Sequence, residues 1–138
     1  MGTKIRPEVS GKNPYWIEKH RYYELLHFCL QYRSWQKQYA ELDGYPTASY
    51  SKEDVHGTEI ADPTERIAEQ KLYFRDRMEM VEKAARDTDP VIGAYIFKAV
   101  TEGYSYEHLR VKDRLPCCKN IYYELYRKFF WLLDKARK

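Results

Sequence analysis

Residues that let a chain turn are scarce here. The 138 residues include six glycines and six prolines, too few for the many tight reversals of a sheet protein. No segment alternates polar and apolar residues as a half-buried strand does. The chain must therefore fold as long helices with few connections, and an all-α fold of about five helices is expected. Hydrophobic residues make up 43% of it, enough for a modest core in one ordinary domain or two very small ones. No stretch approaches the ~18 apolar residues of a spanning helix, and residues 1–13 are polar, without the apolar run of a secretory signal. No membrane partner is expected, and the expected location is cytoplasmic. The cysteine count is odd, with Cys117 and Cys118 adjacent, so no disulfide framework is suggested.

The few turn signals divide the chain. Residues 1–13 read as a flexible arm. A long helix is predicted from Pro14, a first-turn proline, to about Leu42. Its apolar stripe is Tyr22, Leu25, Leu26, Cys29, Tyr32 and Tyr39, widened by Phe28 and Trp35. Residues 43–61, which hold Gly44, Pro46 and Gly57, read as a loop, with a short helical turn at Lys52–Val55. Asp62-Pro63-Thr64-Glu65 is a helix start with a capping acid, proline at N1 and Glu65 three residues after the cap. The helix that follows runs to about Arg86 and carries a narrow stripe of Ile67, Phe74, Met78, Val81 and Ala85. That stripe suits packing within the chain or against a second copy. Residues 14–87 are thus a helical body.

Residues 88–138 read as a second unit. Asp89-Pro90 starts a helix whose apolar face is Val91, Ile92, Tyr95, Ile96 and Val100, with Gly103 at its C′ position. Ser105 caps a short helix to about Asp113, and Leu115-Pro116 breaks it. A last helix runs from near Cys117 to about Ala136 with a buried stripe of Ile121, Tyr122, Leu125, Phe129, Leu132 and Leu133. Helix, glycine corner, short helix, proline turn and longer helix make a trihelical helix-turn-helix layout. Charge gathers in the same place. From Ser105 onward nine Lys and Arg face four Asp and Glu, so this quarter carries +5 of a chain whose total is +3. The polar face of the last helix presents Lys119, Asn120, Tyr123, Glu124 and Arg127, types that pair with phosphates or base edges. Lys112, Arg114 and Lys128 flank it as phosphate contacts. The plainer alternative is a solvated face of a small bundle.

Two segments carry a family likeness. Gly103-Tyr104-Ser105-Tyr106-Glu107-His108-Leu109 and the basic, tyrosine-rich Leu115-Pro116-Cys117-Cys118-Lys119-Asn120-Ile121-Tyr122-Tyr123-Glu124-Leu125-Tyr126-Arg127-Lys128-Phe129-Phe130-Trp131-Leu132-Leu133 resemble the C-terminal half of phage and prophage transcription regulators of the ArpU/RinA type. The resemblance covers about residues 62–135 and departs at Cys117-Cys118, where a small capping residue and an arginine or serine are usual. It implies a sigma-like helix-turn-helix that binds double-stranded DNA and activates late or packaging operons in the cytoplasm of a bacterial host; contact with RNA polymerase is a separate expectation, from the aromatics of the last helix. A homodimer is a further expectation, built on the long body helices.

Other chemistry finds little support. Cys117-Cys118 lacks the C-x-x-C spacing, and His20, His27, His56 and His108 lack ligand spacing, so no metal is expected. Cys29 reads as core. The acid pairs Glu65/Glu69 and Glu79/Glu82 sit among Arg66, Arg75, Arg77 and Lys83 and read as surface ion pairs. No phosphate loop or nucleophile elbow is present, so neither a cofactor nor enzymatic activity is expected. Phe129-Phe130-Trp131 cannot all face one core, because helical neighbours stand ~100° apart. One of Phe130 and Trp131 must meet another element: the first helix, another subunit or a polymerase. The competing function is a phage-encoded helical module that binds protein and inhibits a host or defence complex.

Overall fold

A computed structural model describes residues 14–43 and 63–137. The expected arm, residues 44–61 of the expected loop with its Lys52–Val55 turn, and the Asp62 cap lie outside those residues, while Asp43 ends a helix. The described residues form helices and no strand, so the fold is all-α. Six helices follow in order: α1 (Lys19–Cys29), α2 (Tyr32–Asp43), α3 (Pro63–Thr88), α4 (Ile92–Glu102), α5 (Tyr106–Lys112) and α6 (Lys119–Ala136).

The first predicted helix is two segments. Its start is later than Pro14, because Glu18 is the cap, accepting a hydrogen bond from the Arg21 N–H at 3.1 Å. It breaks at Leu30-Gln31. There the regular ladder tightens, with Gln31 N–H donating to Phe28 O at 3.2 Å, before Trp35 N–H resumes on Gln31 O at 3.0 Å. The break lets α1 lie on α6 while α2 lies on α3. Phe28 and Trp35 meet edge to face across it, 4.8 Å between centroids. A Lys71–Asp43 ion pair at 2.6 Å and an Arg33–Glu102 hydrogen bond at 2.7 Å tie α2 to α3 and α4.

α3 runs 26 residues, roughly 39 Å at 1.5 Å per residue. Its stripe packs within the chain: Val81, Ala84 and Ala85 are buried, and Phe74 and Met78 pack partly buried against the same core. The turn into α4 is held by Asp89, whose carboxylate accepts from the N–H groups of Val91 and Ile92 at 2.9 and 2.8 Å. Those two bonds hold its pKa below the usual carboxylate value. α4 then crosses α3 at very short range. A Cβ placed on Gly93 would lie 2.1 Å from the Ala85 carbonyl oxygen, a distance only glycine permits.

One core runs through all six helices and takes in Leu25, Trp35, Val81, Ile96, Leu109 and Phe129. The body and the C-terminal unit share it, so packing draws no boundary at residue 88. Two expected core positions are instead exposed: Val91, at the foot of α4, and Ile121, in the first turn of α6. In each case the next residue, Ile92 or Tyr122, takes the buried place. Helical neighbours stand ~100° apart, and at these two helix starts the core covers one residue of the pair only. Phe129 and Phe130 are both fully buried, Phe130 against Tyr22 of α1 at 5.0 Å. Trp131 stands at the edge, with Tyr15 at 5.3 Å and the Lys135 ammonium over its ring at 4.0 Å. Cys29 is buried, and burial pushes its thiol far up.

The Gly93–Ala85 approach generates a stability prediction. Gly93→Ala must push α3 and α4 apart against backbone, so it should cost about 3 kcal/mol or more. A thermal or denaturant melt of the variant checks this, with unchanged stability as the contrary result.

Candidate nucleic-acid interface

The site is built on the corner from α4 to α6. α4 stops because Gly103 takes the left-handed conformation, φ 79, and its N–H reaches Ala99 O at 2.8 Å. Ser105 then caps α5, its hydroxyl accepting from His108 N–H at 3.1 Å. Leu109 is fully buried and roots the short helix. The carbonyl of Leu109 receives both Asp113 N–H at 3.0 Å and Leu115 N–H at 3.2 Å. Between them Arg114 sits at φ 55, left-handed without being glycine. Leu115 is buried beneath this turn, and Lys98 of α4 clamps its far side by an ion pair with Asp113 at 3.1 Å.

α6 begins after Cys118, the N-cap residue. Its backbone is extended and its side chain makes no capping bond. Cys117 is half-buried, and burial raises its thiol pKa. The helix is fixed in rotation by Tyr122, Phe129, Phe130 and Leu133, all buried. Arg21 of α1 locks the far end, its Nε–H donating to Asp134 Oδ1 at 2.6 Å. A cluster of tyrosine rings packs about the near end: Tyr122 lies 5.4 Å from Tyr106, and Tyr126 6.4 Å from Tyr22. The Tyr22 and Tyr126 hydroxyls hydrogen-bond at 3.1 Å. Burial holds the phenols of Tyr122 and Tyr126 far above the ordinary value, so these rings stay neutral and structural.

The sequence-predicted residues fall into two groups. Lys112, Arg114, Lys119, Asn120 and Glu124 are exposed, at the end of α5, in the turn and in the first two turns of α6. Tyr123, Arg127 and Lys128 are half-buried. Tyr123 packs against Tyr106 at 5.8 Å, with the Lys119 ammonium 6.0 Å above its ring. Arg127 has its Nε buried without a hydrogen-bond partner. Lys128 acts on the carboxylates of Asp87 and Asp89, held low chiefly by Lys83 and by backbone N–H groups respectively, and adds to both effects. Its charge is thus partly balanced within the protein. Two exposed residues were missed by periodicity: Ile121, placed in the core, and Val111 on α5. Nothing in the sequence marks Arg114 as left-handed.

Five exposed polar groups at this corner, three of them Lys or Arg, can bind polyanions and donate or accept at base edges. Among the described residues no group of three or more His, Cys, Asp or Glu is placed to hold a metal, and no helix is long and apolar enough to cross a membrane. No protein-family model, curated protein or solved structure matches the chain.

Arg114 separates fold from charge. Arg114→Gly should leave thermal stability unchanged or higher, since glycine adopts positive φ without steric cost. Arg114→Val should lower it by about 1–2 kcal/mol. Equal melts for the two variants would contradict the left-handed turn.

Proposed function

We propose that the chain is a sequence-specific DNA-binding transcription regulator of phage or prophage origin, acting in the cytoplasm of a bacterial host. α6 is its reading helix. The observation that carries this is the exposed corner itself. Lys112, Arg114 and Lys119 are exposed where α6 begins, and Asn120 and Glu124 follow on the helix face opposite the buried seam. Cations of that kind meet phosphates. An amide and a carboxylate in the first turns of a projecting helix meet adenine and cytosine edges. The likeness of about residues 62–135 to ArpU/RinA-type regulators supports the same reading, to which the long body helices add homodimerisation and the Phe129–Trp131 aromatics, through Trp131 at their edge, add contact with RNA polymerase.

A second reading has its own observation. α3 leaves Leu72 and Tyr73 about half exposed, at 52% and 50%. Apolar surface of that kind suits a helical module that binds protein and inhibits a host or defence complex. Salt separates the two readings, because phosphate contacts release counterions and an apolar contact does not.

The test is titration of labelled duplex at several salt concentrations. Lys119→Ala should weaken binding to all sequences alike and reduce the log–log salt slope by about 1. Asn120→Ala should cost about 1–3 kcal/mol on the preferred site and little elsewhere. Both residues are exposed, so both variants should stay folded. Unchanged DNA affinity in the folded double variant would remove α6 as the reading element and favour the protein-binding module.

A further inference from the structure

Ile121 is 45% exposed in the first turn of α6, beside Asn120 and three residues before Glu124, both of them exposed. Its neighbour Tyr122 fills the buried seam at 1% exposure, so the backbone direction that sends Tyr122 inward sends Ile121 out. A branched alkyl group there can neither pair with a phosphate nor hydrogen-bond a base. The major groove offers it one apolar partner, the C5 methyl group of thymine. The first turn of a helix entering the groove N-terminus first is also where a short side chain reaches the base edges.

Resting on the DNA-binding reading above, we infer that Ile121 is a specificity-determining residue that packs on thymine methyl groups, so that the preferred site carries thymine beside the base read by Asn120. An A·T pair shows both partners in the same groove: adenine N6 and N7 for the amide, and the thymine methyl for the alkyl group. Glu124 completes the row as a carboxylate. It is disfavoured near phosphate and matched by the amino group of cytosine N4. The predicted target class is therefore mixed-sequence B-form DNA with at least one thymine at a fixed position, read through its methyl group.

The experiment selects duplexes from a random-sequence pool with the full chain, then replaces each thymine of the selected site in turn by deoxyuridine. That change removes only the methyl group. At one position deoxyuridine should weaken binding of the native chain about fourfold, the equivalent of one buried methyl group. Ile121→Ala should bind the thymine and uracil duplexes equally and keep its melting temperature, because the side chain lies outside the core. Native binding that ignores uracil at every position overturns the inference and leaves the DNA reading standing. Equal uracil sensitivity in native and Ile121→Ala protein does the same. A chain that enriches no duplex overturns both.

Discussion

The buried seam of α6 sets the rest of the structure. Tyr122, Phe129, Phe130 and Leu133 lie on one broad face of an 18-residue helix and are at most 1% exposed. Truncating a buried aromatic of this kind costs about 3–5 kcal/mol. The ion pair that also holds α6, Arg21 with Asp134, is partly exposed and contributes at most about 1 kcal/mol. Apolar packing therefore fixes the helix's rotation and the ion pair trims it. Once that rotation is fixed, Asn120, Ile121 and Glu124 have only solvent to face.

The same packing leaves two different surfaces. Glu65, Glu69, Leu72, Asp76 and Glu79 recur at three- and four-residue intervals on α3, all exposed, but Arg66, Lys71, Arg75 and Arg77 stand among them, so residues 65–79 carry equal numbers of acids and bases. That long side has no net charge to draw a polyanion. The α5–α6 corner offers Lys112, Arg114 and Lys119, all exposed, and in the proposed reading it is the end that a phosphate backbone meets. Leu72 and Tyr73 lie on the other surface, so the DNA-binding and protein-binding readings need not compete for one surface.

Much of this was legible in residues with a single local job. Gly103, Ser105 and Asp89 end or start helices as their chemistry requires, and the structure finds each in its place. The stripe of α3 was legible because Ile67, Phe74, Met78, Val81 and Ala85 recur at three-, four- and seven-residue spacing. Legibility failed where two apolar residues stand together, at Val91-Ile92 and Ile121-Tyr122. There periodicity cannot say which turns inward, and tertiary packing decides. It failed again at Leu30-Gln31, where no glycine or proline marks a break that exists because α1 and α2 must lie on different helices. Arg114 gave no sign because its conformation is imposed by Leu109 and Leu115, not by arginine. The exposed polar residues of the site were readable as types. Which of them are exposed followed only from the seam.

In the proposed reading the α5–α6 corner, and not the long face of α3, meets nucleic acid. Backbone amide chemical shifts of the labelled chain, recorded as duplex DNA is added, distinguish the two surfaces. Shift changes are expected to concentrate between residues 112 and 124 and to fade as salt rises, with residues 65–79 unmoved. Changes confined to residues 65–79, or none anywhere at low salt, would contradict that reading.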